Sequence, residues 1–439
     1  MKNNLSRFIL LFSDFCVIAL SIVLAFYTRM GLNDYFNVLF NDSVLHYMLD
    51  LKLYALVLSI FFYEGLYSKR FDFWHESRKI VKGIIFALLI LLSFFALSKT
   101  MQGYSRFIIV IAFAYMAVLI PLSKYILKKS LYNLGLWKRG AKVYGDDEFL
   151  KSEIFHNHYL GYIKYTTENV QTIFINSASL RPSELNTLLE QEMLTAKEVL
   201  FIPIINEYNF AQSTIYELTN TRTNLIVLQN KLKSKIRTFT QTVANYIFAI
   251  LLLPILIPVI GVLAFLIKKE SSGPVFFAHN RIGKDGKIIP TYKFRSMYSD
   301  AKERLEKLLE ESEEIRAEWE TNFKLKDDPR VTKIGAFLRK TSLDELPQIF
   351  NVLKGEMNFV GPRPVIQQEL DLYYKEDAAY YLMVKPGITG LWQVSGRSDT
   401  GYDFRISMDK WYVRNWSLWL DLVILVKTVK VVLFREGAY

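Results

Sequence analysis

Four apolar runs crowd the first 130 residues, at 5–27, 44–66, 80–97 and 107–127, and a chain that carries them has to fold against lipid. Each approaches the roughly 20 residues that a helix needs to cross the hydrocarbon core of a bilayer. The first follows Lys2 and includes Arg7, as a secretory signal might. Its apolar stretch is too long for a signal peptide and more spans follow, so a retained helix is expected. Asp14 inside it is costly in lipid and is expected to face another helix. Asp50 and Lys52 shorten the apolar part of the second run. Lys69, Arg70, Arg78, Lys79 and Lys82 follow the second run, and Lys124, Lys128, Lys129, Lys138 and Arg139 follow or close the fourth. That asymmetry places both termini in the cytoplasm.

The rest of the chain is less greasy. Overall 51% of the 439 residues are hydrophobic and 22% are charged, so the apolar residues are gathered into segments. A chain of this length holds about two to four domains. The net charge of +11 suits phosphates, nucleotides or an anionic membrane surface. Nucleic acid is not expected, because the basic residues are scattered and no groove-reading or stacking motif accompanies them. Cys16 is the one cysteine and lies in the first apolar run, which excludes disulfides and cysteine-based zinc sites.

Residues 140–230 read as a small cytoplasmic α/β domain of degenerate Rossmann-like type. Runs at 142–144, 170–175, 198–203 and 224–228 have strand character, and 185–194 between two of them has helical pattern, as in a parallel sheet. The first strand runs into Gly145-Asp146-Asp147, which lacks the glycines of a dinucleotide loop and puts acids where a pyrophosphate would lie. A structural or oligomerising role, including a homodimer, fits it better. His156 and His158 lack further ligands at metal spacing and read as surface residues.

A fifth apolar segment, at about 240–267, carries Pro254 and Pro258 in its middle. Each removes a helix hydrogen bond and bends the chain, so a broken, re-entrant helix is expected, with an ordinary kinked span as the alternative. A hairpin follows, with its turn at 284–287 and a return strand ending in Lys293-Phe294-Arg295. Strand alternation puts Lys293 and Arg295 on one face, where two cations could clasp a diphosphate. A charged amphipathic helix is expected over 299–325. Residues 402–432 read as one or two helices whose Trp411, Tyr412, Trp416 and Trp419 suit the headgroup level of a membrane, with a tryptophan-rich core as the alternative.

The stretch 343–364, LDELPQIFNVLKGEMNFVGPRP, holds the sharpest chemistry. Asp344 and Glu345 stand at an expected helix start, with either Ser342 or Asp344 as the cap. Either cap leaves both carboxylates at the positive end of the helix dipole, which favours their ionised form. The Gly-Pro-Arg-Pro turn then returns Arg363 towards the same region.

KFRSM at 293–297, FLRKTSLDELPQ at 337–348, NVLKGEMNFVGPRP at 351–364, KPGITGLWQVSGR at 385–397 and the WYVRNWSLWLDL run together resemble the bacterial sugar transferases, the monotopic phosphoglycosyl transferases. The resemblance implies four transmembrane helices over 1–130, the α/β domain over 140–230, and a catalytic α+β domain with a re-entrant helix over 231–439, in a bacterial inner membrane. It implies Asp344 as a nucleophile towards a UDP-sugar, with undecaprenyl phosphate as acceptor and galactose as the favoured sugar. It implies Glu345 as a Mg2+ ligand, and Lys293, Arg295, Arg339, Arg363 and Arg397 as substrate-binding cations. Asp409 matches a supporting acid. Two positions depart from the pattern: His279-Asn280 replaces a glutamine–acid pair, and Asn245 replaces an acid. An inactive scaffold for glycan-assembly partners is the alternative; a transporter would want more polar residues along its spans than Asp14, Asp50 and Lys52 supply.

Overall fold

The structure, a computed structural model, describes residues 2–36, 43–98, 104–145, 148–164, 170, 172–177, 180–195, 198–203, 213–218, 223–227, 234–311, 316, 328–395 and 401–434. The chain divides into two compact units, Met1–Asn206 and Glu207–Tyr439.

The first unit opens with helices α1 (Lys2–Gly31), α2 (Val44–Met48), α3 (Leu51–Tyr63), α4 (Phe73–Ser98) and α5 (Arg106–Asn133). The second apolar run is therefore split rather than continuous. Asp50 is the reason: its carboxylate accepts from the Lys52 N–H at 3.2 Å and caps α3. Leu10, Ile18, Ile22 and Ala25 of α1 are buried in one core with Ile108, Ala112, Met116 and Ile120 of α5. Phe8, Phe12 and Leu20 on α1 and Phe86, Leu89 and Phe94 on α4 face outward. Helices apolar on both faces are what a lipid surrounding demands. With 44–63 counted as one span and Lys235–Glu270 of the second unit included, five helices among the described residues are long and apolar enough to cross a membrane.

Asp14 does face another helix. Its Oδ2 lies 3.0 Å from Lys124 Nζ and accepts from the Tyr67 hydroxyl at 2.7 Å. Glu76 completes the group by pairing with Lys128 and accepting from the Tyr159 hydroxyl at 2.8 Å. All four charged side chains are fully buried. Two acids against two lysines sum to zero, which is what makes such charges tolerable in an apolar bundle.

The same unit carries a parallel sheet, order β2-β1-β3-β4, from β1 (Arg139–Tyr144), β2 (Tyr162–Lys164), β3 (Thr172–Asn176) and β4 (Glu198–Ile202). Helices α6 (Glu148–His156) and α7 (Pro182–Thr195) supply the crossovers. Gly161 enters β2 at φ +70°, where an added Cβ would meet the Trp137 carbonyl oxygen at 2.2 Å. The run at 224–228 does not join this sheet. It forms β6 (Thr223–Val227), antiparallel to β5 (Thr214–Leu218). Four residues separate the two strands, far too few for a parallel crossover.

In the second unit, which also holds the β5–β6 pair, α8 (Lys235–Glu270) is continuous through Pro254 and Pro258. The expected unwound break is absent, because prolines four apart lie on one face and bend a helix there without ending it. Both ends of α8 hold the same unit. Asn245 Oδ1 accepts from the Phe359 N–H at 2.8 Å, while the Glu270 carboxylate accepts from the Lys333 and Ile334 N–H groups at 2.8 and 2.9 Å. Between them Ile250, Leu251, Ile255, Ile257 and Val262 are exposed.

Then come the hairpin β7 (Phe276–Ile282) and β8 (Ile288–Phe294), α9 (Ala301–Glu311), α10 (Lys333–Thr341), a 3-10 turn Leu343–Gln348, and α11 (Ile349–Leu353). The expected helix over 299–325 is described only as far as α9 and Arg316; the rest lies outside the described residues. Strand β9 (Asn358–Val360) pairs in parallel with β10 (Gly387–Thr389), α12 (Ala378–Leu382) lies between them in sequence, and α13 (Tyr402–Asn415) and α14 (Leu418–Phe434) close the chain. Tyr412 and Trp416 are core residues rather than headgroup anchors. The Tyr412 hydroxyl donates to Asp421 at 2.7 Å and the Trp416 indole N–H to the same carboxyl at 3.0 Å. Buried aromatics with polar tips need such partners. Leu418, Leu422, Val426, Val429 and Val432 form an exposed stripe along α14.

Candidate active site

Asp344 and Glu345 sit in the 3-10 turn, not at the start of a long helix. Ser342 adopts φ +57°, ψ 19°, serving as the left-handed terminus of α10, and its side chain makes no capping bond. A left-handed residue ends one helix and redirects the chain at once, so neither expected cap forms. The five-residue α11 that follows offers little dipole. Charge, not capping, organises the pair.

Lys293 supplies that charge. Its Nζ lies 2.7 Å from Glu345 Oε1 and 3.6 Å from Asp344 Oδ2. Arg363 Nη2, from the Gly-Pro-Arg-Pro turn, lies 3.4 Å from the same Glu345 oxygen. The carboxylates are about one-sixth exposed, at 15% and 17%, and Arg363 is 43% exposed, so the cluster opens to solvent on the arginine side. Burial is the largest influence on Asp344 and raises its pKa; Lys293 opposes this, neighbouring Glu345 adds to it, and Arg363 and Arg339 oppose it. The expectation that the helix dipole keeps Asp344 ionised is thus replaced: Lys293 is the principal group that favours the charged form.

Backbone contacts hold this geometry. Asn351, fully buried, accepts from the Tyr292 N–H at 3.1 Å and donates to the Pro290 carbonyl at 2.7 Å. It thereby latches β8, which carries Lys293, onto α11 beside the acidic turn. Gly387 N donates to Pro362 O at 2.8 Å, and Gly361 N donates to Thr389 O at 3.0 Å, fixing the turn that bears Arg363. An added Cβ on Gly387 would lie 2.1 Å from Gly361 N. Only glycine permits that approach.

The other expected site residues lie elsewhere. Arg295 does not share the Lys293 face. Strand β8 ends at Phe294, and the Arg295 guanidinium donates to the Ser272 carbonyl and, at 2.8 and 2.9 Å, to the Ser271 carbonyl and hydroxyl. It clamps the turn between α8 and β7. Arg339 donates to Ser296 Oγ at 2.9 Å and reaches Asp344 only as a minor electrostatic influence. Asp409 is buried in the core, where the Tyr374 hydroxyl donates to it at 2.7 Å, and burial pushes its carboxyl up to about 7. Nothing on the described surface gives it access to a substrate. Arg397 lies outside the described residues. Asn245, in place of an acid, holds the Phe359 N–H. Sequence reasoning passed over Asn351, and also Arg281, Thr291 and Gln348, which line a cleft with Lys293, Glu345 and Arg363.

An adjacent carboxylate pair under fixed cations, on a chain with membrane-length helices, is an arrangement suited to a membrane-bound group-transfer enzyme. Comparison with known proteins agrees. Residues 236–435 match the bacterial sugar transferase family. An undecaprenyl-phosphate galactose phosphotransferase of Salmonella typhimurium is 36% identical over 404 residues, covering 85% of this chain and 84% of that protein. A UDP-galactose-lipid carrier transferase of Erwinia amylovora is 35% identical over 416 residues, covering 85% of this chain and 84% of that protein. A UDP-glucose:undecaprenyl-phosphate glucose-1-phosphate transferase of Klebsiella pneumoniae is 37% identical over 262 residues, covering 58% of this chain and 53% of that one. The chain belongs to the bacterial sugar transferase family: it is a membrane protein and a phosphoglycosyl transferase of polysaccharide biosynthesis.

Proposed function

We propose that this enzyme transfers galactose-1-phosphate from UDP-galactose to undecaprenyl phosphate, starting a surface polysaccharide. Asp344 attacks the β-phosphorus, the bond to the α-phosphate oxygen breaks, and UMP leaves. An oxygen of the lipid phosphate then attacks the same phosphorus, forms the diphosphate bond and releases Asp344. The observation that carries this reading is the position of Lys293, 3.6 Å from Asp344 and 2.7 Å from Glu345. A carboxylate approaches an anionic diphosphate only where nearby cations offset the charge, and Lys293 and Arg363 do so here. Names of relatives that carry galactose on a lipid support the choice of sugar.

Mg2+ fits the donor set. Among the described residues no three His, Cys, Asp or Glu cluster, but Mg2+ takes one or two carboxylates and completes its shell with phosphate and water. Glu345, with Asp344 beside it, would hold it. Bound there, Mg2+ would neutralise charge on the diphosphate.

The helix α8 supports a re-entrant course. From Asn245 to Glu270 a straight helix would run about 38 Å, more than a bilayer core. Both residues nevertheless hold the same unit, so we infer that α8 dips into the cytoplasmic membrane and returns to the cytoplasmic face, with four helices spanning. Incubating membranes with labelled UDP-galactose and undecaprenyl phosphate tests the reading: labelled lipid forms with wild-type protein and not with Asp344→Ala. Equal product from Asp344→Ala would overturn it.

A further inference from the structure

Beside the acidic turn lies a cavity of about 20 Å³, lined by Arg281, Thr291, Lys293, Glu345, Gln348 and Arg363. Two of its lining residues are almost wholly buried and each carries an atom without a hydrogen-bond partner among the described residues. These are Thr291 Oγ1, on a residue 3% exposed, and Gln348 Oε1, on a residue 2% exposed. Buried polar atoms are satisfied in nearly every native structure, so two left without a partner on residues that line one cavity point to a ligand.

Both stand on the elements that carry the chemistry. Thr291 is two residues before Lys293 on β8, and alternation puts the two on one face. Gln348 is three residues after Glu345 in the 3-10 turn, where side chains three apart eclipse. The ligand's chemistry follows from the donors and acceptors. A carbonyl oxygen such as Gln348 Oε1 only accepts, while the Thr291 hydroxyl donates or accepts. A phosphoryl oxygen also only accepts, so it cannot satisfy Gln348, and a whole phosphoryl group exceeds the space. A hydroxyl group both donates and accepts, and the cavity has room for about one oxygen of that kind. The match survives exchange of the amide oxygen and nitrogen, because a hydroxyl can serve either.

We propose that Thr291 and Gln348 bind one hydroxyl of the transferred sugar and so set which sugar is accepted. The inference rests on the phosphosugar-transfer reading above and adds the part of the site that reads the sugar. The sugar hangs from the phosphorus that Asp344 attacks, which brings its hydroxyls to this wall of the cleft.

The test is kcat/KM of the full chain for UDP-galactose and its four monodeoxy analogues, at C2, C3, C4 and C6. Wild-type enzyme should disfavour one analogue by about tenfold or more, the scale of one buried hydrogen bond. Thr291→Val and Gln348→Leu should bring that one ratio towards unity and leave the other three unchanged. Thr291→Ser, which keeps the hydroxyl, should restore it and shows that the position tolerates substitution. Equal losses with UDP-galactose and every analogue would overturn the inference, as would ratios in active variants that match wild type. Weakened UMP inhibition with unchanged sugar ratios would assign the pair to a phosphoryl group and also overturn it. Wild-type enzyme that turns over no UDP-sugar would instead strike the functional reading, and this inference with it.

Discussion

At the scale of single residues, Lys293 decides whether Asp344 can act. Burial raises the Asp344 pKa above the ordinary carboxylate value and Lys293 is the first group to oppose it. A nucleophilic carboxylate works only when ionised, so activity should fall as pH drops through the Asp344 pKa. Lys293→Met removes the opposing charge, raises that pKa further and should move the acid limb of kcat/KM to higher pH. It should also cost on the order of 10²–10³ in kcat, as the loss of a charge facing developing negative charge does. A pH–rate profile of the variant checks both; an unshifted acid limb would remove Lys293 from this role. Arg295 shows where residue-level reading stops. Alternation places it beside Lys293, but its guanidinium is captured by the Ser272 and Ser271 carbonyls, a tertiary contact that nothing local announces.

At the scale of elements, most of the secondary structure was legible and most of the joints were not. The hairpin, α7, three of the four parallel strands and the two C-terminal helices follow from periodicity, while β2 went unread. The acidic turn does not, because Ser342 at φ +57° is set by packing between α10 and the turn rather than by its own preference. Thr291 and Gln348 were equally hidden, since an unpartnered buried atom is a property of tertiary structure alone. Asp409 belongs to this scale. It joins α13 to the turn before α12 through Tyr374, with its carboxyl at about 7 because burial disfavours the charge. A folded-state pKa raised above the unfolded value contributes stability that is full below the unfolded pKa and is lost as pH rises through the folded one. The window here runs from about pH 4 to about pH 7. Asp409→Asn keeps an acceptor for Tyr374 and removes the titration. Thermal unfolding across that range should show a flatter pH dependence in the variant. An identical slope in both proteins would place the titrating group elsewhere.

At the scale of the whole molecule, the chain carries a helical membrane unit and a second unit whose α8 and α14 expose apolar side chains. The apolar runs made the membrane class plain from sequence. What sequence could not show is that Asn245 and Glu270 hold one and the same folded unit. If α8 returns to the face it enters, single cysteines at Lys235→Cys and Lys269→Cys, with Cys16→Ser, should react with an impermeant maleimide from the same side of sealed, oriented vesicles. Labelling from opposite sides would make α8 an ordinary span.

The whole scheme depends on a bond between Asp344 and the sugar phosphate. Enzyme mixed with UDP-galactose labelled in the β-phosphate, without lipid acceptor, and quenched in acid reads this most directly. The expected result is labelled protein whose label hydroxylamine removes, undecaprenyl phosphate discharges, and Asp344→Asn never acquires. Label retained by Asp344→Asn, or rapid turnover by wild-type enzyme that never becomes labelled, would contradict it.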